Sequence, residues 1–172
     1  ITEPMMAEQA LEDGRCDIIS VTRAMLADPF WLRKTERGET QSIRRCIACT
    51  RCINDREHGG LICSVNPFER REEELEIQPA AKPKDILVIG AGPAGLQAAA
   101  VASQRGHHVT VVEKESMPGG MVAQAGVPPL KWEILNLITA LAYYAEKYGA
   151  KILYNTEASS EWVQTQRFDH VL

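Results

Sequence analysis

A glycine-rich segment at residues 90–95 constrains the fold of this chain more than any other feature of the sequence. The run Asp85–Ile89 precedes the segment and has the length and the β-branched, apolar composition of a buried strand. A stretch of small residues follows it and ends at Gly106, which predicts a helix. A strand, a tight turn and a helix in this order predict an α/β fold with a parallel sheet.

The segment has the spacing G-x-G-x-x-G, and each position has a predicted task. Gly90 allows the tight turn, Gly92 lets the backbone approach a pyrophosphate, and Gly95 lets helix and strand pack closely. Pro93 and Ala94 open the helix, whose free N–H groups and positive dipole attract phosphate. The segment therefore predicts a Rossmann-like domain that binds an adenine nucleotide, and an unrelated glycine-rich turn is the alternative.

An acidic residue supports this interpretation. Glu113 ends the next predicted strand, eighteen residues after Gly95, where its carboxylate can accept hydrogen bonds from ribose hydroxyls. An acid at this position favours FAD, ADP or NAD over a 2′-phosphorylated nucleotide. Lys114 follows directly, and Gly120 and Met121 belong to a short glycine turn that lets backbone run close to a cofactor. A plain surface turn is the alternative for that last segment.

Four cysteines stand in one short stretch, at Cys46, Cys49, Cys52 and Cys63. Two consecutive C-x-x-C steps are followed by a fourth cysteine after ten intervening residues, which is typical of an iron–sulfur cluster loop. A structural zinc site usually pairs two separated C-x-x-C knuckles, and the second knuckle is missing. The spacing therefore favours a [4Fe–4S] cluster over zinc, disulfides or free thiols.

Composition bounds the class of protein. The net charge of −4 gives no reason to expect a nucleic acid or an anionic membrane as partner. No apolar run reaches membrane-spanning length, and no signal peptide is visible. Five cysteines without a secretory signal fit a reducing cytoplasm. We therefore expect a cytoplasmic protein, and the first and last residues suggest a piece of a longer one.

The patterns divide the chain into four predicted parts. Residues 1–40 predict a helix, a strand at residues 17–21 and a helix that starts at Asp28-Pro29. Residues 41–69 form the cysteine loop, and residues 70–83 form a charged, then Pro/Ala-rich connector. Residues 84–172 form the nucleotide-binding domain. Its remaining predicted elements are strands at residues 107–113, 150–155 and 168–172, a candidate strand at residues 160–165, and an amphipathic helix at residues 131–149.

The order of these parts resembles the iron–sulfur branch of the old yellow enzyme family. The segments that carry the resemblance are GRCDIISVTRAMLADPFWLRKTERGE, IRRCIACTRCIN, CSVNP and VIGAGPAGLQAA. The resemblance implies that residues 1–40 end an FMN-binding TIM barrel, with residues 17–21 as strand eight, and that Thr22 and Arg23 hold the FMN phosphate. It also implies that residues 84–172 are an incomplete FAD-binding domain, and that roughly 250 barrel residues precede the chain.

The resemblance further implies an oxidoreductase that relays electrons between FMN, a [4Fe–4S] cluster and FAD with NAD(P)H. Such enzymes act on an enoyl- or dienoyl-type substrate or on an N-methylated amine. The first cysteines resemble the amine dehydrogenases and CSVNP resembles the dienoyl-CoA reductases, so the substrate stays open. The catalytic acid or base is expected outside these residues, and His58 is a candidate to tune the cluster. Partners are a small-molecule substrate, an external electron acceptor and, in a homo-oligomer, further copies of the chain.

Two alternatives remain. One is an NAD(P)H oxidoreductase that resembles the glutamate synthase small subunit, which also joins cysteine clusters to GAGPAGL but lacks the DIISVTRAMLADP segment. The other is a non-catalytic electron-transfer module with a cluster and ADP or FAD but no substrate site. The fragment alone is expected to be inactive in every case, because the substrate-binding groups would lie elsewhere.

Overall fold

The computed structural model describes residues 1–55 and 61–172, so His58 lies outside the described residues. The chain forms two compact units, Ile1–Leu75 and Glu76–Leu172, which we call unit 1 and unit 2. Unit 2 carries the parallel sheet, which confirms the predicted α/β class. The finer division of the sequence into four parts stays a prediction.

Unit 1 is built from short helices. They are α1 (Pro4–Glu12), α2 (Arg23–Ala27), α3 (Trp31–Glu36), a 3₁₀ turn (Thr40–Ser42) and α4 (Arg51–Asn54). The start and end signals predicted α1 and α3 within a few residues, since Pro4 lies at the first helical position and Gly38 follows α3. Its apolar centre is small and consists of Ala7, Ala24, Trp31 and Ile43.

The strand expected at residues 17–21 is absent from the sheet. A β-strand needs a neighbour to pair with, and no strand lies in the described part of unit 1. Ile18 is 84% exposed, whereas Ile19 and Val21 pack against the small apolar centre. As strand eight of a barrel, this apolar run would pair with strands outside these residues, so this assignment stays a prediction.

Unit 2 is a four-stranded parallel sheet with helices. Its strands are β1 (Asp85–Ile89), β2 (His108–Val112), β3 (Lys151–Leu153) and β4 (His170–Val171), in the order β3-β2-β1-β4. Its helices are α5 (Pro93–Gln104), α6 (Gly120–Ala125), α7 (Glu133–Lys147) and α8 (Ser160–Thr165).

The core of unit 2 lies between the sheet and its helices. Leu87 on β1, Val111 on β2 and Leu96 on α5 are fully buried. The amphipathic helix α7 adds the buried side chains of Leu137 and Leu141, as its pattern predicted. This core fixes the carboxyl ends of β1 and β2 side by side, where parallel sheets bind nucleotides.

Two expectations at the end of the chain had different outcomes. The last predicted strand is confirmed, because β4 pairs with β1 through Ile86 and His170. The candidate strand at residues 160–165 is wrong, since these residues form α8. The Ser159 hydroxyl accepts a hydrogen bond from Trp162 N at 3.1 Å and caps the helix, which decides its conformation. None of the helices in the described residues is long and apolar enough to cross a membrane.

Candidate nucleotide and cysteine sites

The glycine turn has the backbone that its spacing predicted. Gly90 has φ +98°, a conformation that favours glycine, and its N–H donates to the Val112 carbonyl at 2.7 Å. A Cβ at Gly95 would lie 2.1 Å from the Gly90 carbonyl oxygen, so no side chain fits there. The close contact of helix and strand at Gly95 is thus a steric requirement.

The phosphate-facing side of this turn is open. Gly92 caps α5, and no heavy atom lies within 4 Å of the Cβ position built on it. Pro93 and Ala94 form the first turn of α5, and Ala94 is exposed. The first N–H groups of a helix have no partner within it. Backbone donors and open space therefore meet at one place, as a bound pyrophosphate would require.

Glu113 is tied to the same turn. It is buried, and its Oε2 accepts from Ala91 N at 2.7 Å while its Oε1 accepts from Glu115 N at 3.0 Å. An ionised carboxylate oxygen can accept more than one hydrogen bond. The carboxylate thus braces the glycine turn, and its role toward a ribose stays a prediction.

A second glycine turn lies against the first. Gly119 N donates to the Ala91 carbonyl at 2.8 Å, and a Cβ at Gly120 would lie 3.7 Å from Gly92 Cα. Gly119 itself has φ +121°, and a Cβ there would approach Ile138 Cδ1 to 2.6 Å. The two turns therefore form one continuous main-chain surface.

The remaining predicted nucleotide residues lie at the edge of this surface. Met121 follows Gly120 at the start of α6 and is 76% exposed. Lys114 follows Glu113 and is also exposed. Their positions leave both side chains available to a bound molecule, and their roles stay predictions.

In unit 1, the four predicted cysteine ligands line one pocket. The side chains that complete its wall are mostly apolar, and the whole lining comprises Arg23, Leu26, Cys46, Ile47, Cys49, Thr50, Cys52, Ile62, Cys63, Ser64 and Val65. Cys16 lies elsewhere, with its Sγ 4.0 Å from the Ala10 carbonyl. No group of three or more His, Cys, Asp or Glu side chains in the described residues is arranged to hold a single metal ion.

The backbone of the cysteine loop has an unusual alternation. Ala48 and Thr50 adopt φ values of +52° and +57°, in the left-handed region that side chains rarely occupy, and Cys49 lies between them. Alternation of right- and left-handed residues turns successive N–H groups inward and forms a nest for anions, as at many iron–sulfur sites. Strained backbone of this kind persists where a site is built.

Two thiols of the pocket have perturbed acidity. Partial burial raises the pKa of Cys49, but hydrogen bonds with Ser64 and from the Arg51 N–H outweigh this effect and lower it overall. The Sγ of Cys49 lies 3.3 Å from the Ser64 Oγ. Burial raises the pKa of Cys63, and the neighbouring Cys46 adds to this effect. The two thiols therefore differ in nucleophilicity when no metal is bound.

A second pocket in unit 1 contains the predicted FMN-phosphate residues. It measures about 230 Å³, and Thr22 and Arg23 line it at the start of α2. Cys46 and Arg23 line both this pocket and the cysteine pocket. The structure thus brings Thr22, Arg23 and the cysteines together in one region of unit 1.

Comparison with known proteins identifies the family of this chain. Residues 85–161 match the family described as FAD dependent oxidoreductase. The whole chain is 38% identical to the metal reductase of Desulforamulus reducens and spans 27% of that protein. The chain belongs to the old-yellow-enzyme-like flavin oxidoreductases.

Solved structures support the same family. A 2-naphthoyl-CoA reductase in complex with 2-naphthoyl-CoA matches 99% of this chain with a TM-score of 0.93 and 34% identity. The histamine dehydrogenase of Rhizobium sp. 4-9 matches 99% of it with a TM-score of 0.89 and 29% identity. The chain covers 26% of each of these two proteins, so it corresponds to about a quarter of such an oxidoreductase.

Sequence reasoning missed three buried polar residues of this oxidoreductase chain. Asp28, Arg44 and Asn66 are 4%, 9% and 6% exposed. Asp28 and Arg44 hydrogen bond to main-chain atoms next to the cysteine loop, and Asn66 hydrogen bonds to the Leu26 carbonyl at the end of α2. We call the three residues the polar frame. At Asp28 the sequence pattern predicts only a helix start. The turn signal Asn66-Pro67 was the one feature that pointed to a special role.

Proposed function

We propose that this chain is the electron-relay part of an iron–sulfur flavoprotein oxidoreductase. It would hold a [4Fe–4S] cluster on Cys46, Cys49, Cys52 and Cys63, and an FMN phosphate at Thr22 and Arg23. The glycine turn of unit 2 would hold FAD or ADP. The observation that carries the proposal is that the four thiols line one pocket, which shares Arg23 and Cys46 with the pocket at α2.

Three features of the cysteine pocket suit a cluster. Its four thiols come from the spacing typical of cluster loops. The left-handed Ala48 and Thr50, on either side of Cys49, would turn main-chain N–H groups toward an anionic group. The cysteine sulfurs that hold a cluster lie further apart than those that hold one zinc ion, because each sulfur binds a different iron atom. The absence of a single-ion arrangement among the described residues is therefore compatible with a cluster.

The residues of this chain would place and insulate the cofactors. When bound, flavin exchanges two electrons with a substrate or with NAD(P)H, and the cluster carries one electron at a time. Arg23 offers a planar guanidinium, which suits a phosphate. The apolar side chains of Leu26, Ile47, Ile62 and Val65 would exclude water from the thiolates.

We further propose that the substrate is an enoyl- or dienoyl-type thioester or an N-methylated amine. The support comes from the relatives, one of which is a 2-naphthoyl-CoA reductase and another the dimethylamine dehydrogenase of Hyphomicrobium sp.. The intact native protein should be assayed without oxygen for NAD(P)H-dependent reduction of enoyl thioesters and for dye-linked oxidation of methylated amines. Activity with neither class would contradict this part of the proposal.

Metal analysis tests the cluster. The intact protein, purified without oxygen, should contain four iron and four sulfide per chain. Cys49→Ser should lose most of the iron and the visible absorption, whereas Cys16→Ser should keep both, because Cys16 lies outside the pocket. Stoichiometric zinc with no iron would refute the cluster.

Flavin analysis tests the two nucleotide sites separately. Arg23→Gln should lower the FMN content and leave the adenine nucleotide in place, since Arg23 belongs to unit 1. Arg33→Gln on α3 serves as the matched control, because Arg33 lies outside both pockets. Equal FMN contents in the two variants would contradict the proposal that Arg23 binds the FMN phosphate.

A further inference from the structure

We propose that the polar frame, Asp28, Arg44 and Asn66, positions the cysteine ligands by holding both ends of the cysteine loop against α2 and α3. The inference rests on the proposed cluster site and deepens it, because none of the three residues is a cysteine ligand. Asp28 contacts Arg44 N and Arg44 contacts the Val65 carbonyl, which lie two residues from Cys46 and from Cys63 in the sequence. Asn66 lies three residues after Cys63 and contacts the Leu26 carbonyl.

Asp28 holds the first end of the loop. Its Oδ2 accepts from Arg44 N at 2.9 Å, two residues before Cys46, and also from the Lys34 ammonium. Its Oδ1 accepts from Phe30 N at 3.0 Å. A carboxylate that is 4% exposed depends on such donors, because burial of an unpaired charge is costly.

Asn66 holds the second end, three residues after Cys63. Its Nδ2 donates to the Leu26 carbonyl at the end of α2, at 2.9 Å. Its Oδ1 accepts from Phe68 N at 3.1 Å, which forms a local turn. The amide thus uses both its donor and its acceptor, and its orientation is fixed.

Arg44 joins the two ends directly. Its Nη1 donates to the Val65 carbonyl at 2.9 Å, and both residues are buried. The main chain before Cys46 is thereby linked to the main chain after Cys63. These contacts, together with those of Asp28 and Asn66, enclose the loop and fix the distance between its first and last thiols.

This arrangement gives the frame an effect on the cluster beyond general stability. The contacts lie at the two ends of the loop, so their loss would let Cys46 and Cys63 move relative to each other. A site that is loose by a fraction of an ångström distorts the geometry of its ligands. The electronic signature of the cluster should therefore change even when the protein stays folded.

The test uses the intact native protein with Arg44→Met and Asn66→Ala. Asn54→Ala is the matched control, because Asn54 is an exposed residue of α4 within the same loop. In metal-free protein, amide exchange of residues 44–52 and 61–66 should be about tenfold faster in the frame variants, the effect of one lost buried hydrogen bond. In iron-loaded protein reduced with dithionite, their EPR spectra should broaden, and the midpoint potential should shift.

Two further variants keep the test decisive. Arg44→Lys retains one donor for the Val65 carbonyl and should restore part of the wild-type EPR spectrum. Asn66→Asp keeps the acceptor for Phe68 N and removes the donor to the Leu26 carbonyl. This variant replaces Asn66→Ala in the same measurements if Asn66→Ala does not fold.

The outcomes separate the two proposals. Wild-type exchange rates and EPR spectra in the frame variants would overturn the inference, as would a loss of stability with an unchanged EPR spectrum and potential. If the wild-type protein bound no iron, the proposal that the four cysteines hold a cluster would be refuted. The exchange rates of the metal-free protein would then still support the frame if they rose in the variants, or refute it if they did not.

Discussion

The two units of this chain are stabilised in different ways. Unit 2 has a continuous apolar core in which Leu87, Leu96 and Val111 are fully buried. Unit 1 has an apolar centre of four residues, and buried polar side chains, Asp28 and Arg44 among them, fix its loops. Apolar burial is non-directional, whereas hydrogen bonds fix particular atoms. Within these residues, apolar packing thus defines the glycine turn, and directional contacts fix the ends of the cysteine loop.

The strongest test of this comparison is a pair of glycine substitutions in unit 2. Gly95→Ala should prevent unit 2 from folding normally, because its Cβ would lie 2.1 Å from a backbone oxygen. Gly92→Ala should fold, since nothing lies within 4 Å of that Cβ and its φ is −72°. Circular dichroism should separate the two variants. ADP binding should fall at least about tenfold in Gly92→Ala, because the methyl group would occupy the phosphate side. Equal folding of both variants would contradict the steric argument.

The next largest effect tests the apolar core. Leu87→Ala should lower the free energy of unfolding of unit 2 by about 2–5 kcal/mol, because it leaves a cavity in the middle of β1. Val171→Ala on β4, where the side chain is 47% exposed, should change it by less than about 1 kcal/mol. Denaturant unfolding followed by amide exchange in β1 and β2 measures both. Similar losses for the two variants would show that the core is not the main source of stability.

A smaller effect is expected in unit 1. Asp28→Asn should lower the free energy of local unfolding by about 1–3 kcal/mol, because it weakens three hydrogen bonds to a buried group. Asp55→Asn, which removes an exposed pair with Arg51, should lower it by less than about 1 kcal/mol. Amide exchange in α3 and at residues 43–45 provides the comparison. If the free energy of local unfolding fell by the same small amount in both variants, the polar frame would not be the source of stability in unit 1.

The smallest effect concerns thiol acidity in the metal-free protein. Ser64→Ala removes a hydrogen bond that favours the Cys49 thiolate, so the pKa of Cys49 should rise. Alkylation of Cys49 near neutral pH should slow roughly threefold to tenfold, and its pH profile should move to higher pH. Mass spectrometry of alkylated peptides across pH measures this, with Ser116→Ala in unit 2 as control. An unchanged profile for Cys49 would refute the assigned cause.

The sequence predicted local features better than distant contacts. The glycine turn was foreseeable because its rule depends on neighbouring residues and on a backbone that only glycine adopts. By contrast, the candidate strand at residues 160–165 lacked any clear period, and the Ser159 cap decided for a helix. The strand expected at residues 17–21 stays a prediction, because a strand is recognised by its pairing and its expected barrel neighbours lie outside these residues.

The polar frame was beyond sequence reasoning for a similar reason. Its hydrogen bonds join residues that are 16, 21 and 40 positions apart. Arg44 lies in a run of arginines that predicts exposed surface as well as a buried contact. Only the folded arrangement of α2 and α3 shows which arginine turns inward.

The joined glycine turns of unit 2 have a consequence for how such a site can diversify. Where Gly119 N meets the Ala91 carbonyl, the floor of the site is main chain, and a side chain at Gly95 or Gly119 would collide with its neighbours. Amino-acid substitution can therefore change the floor of the site very little. For the proposed adenine nucleotide, preference would then change through side chains beside the floor, namely Glu113 and exposed positions such as Lys114 and Met121. Homologues should thus share the floor almost unchanged and differ in affinity at its border.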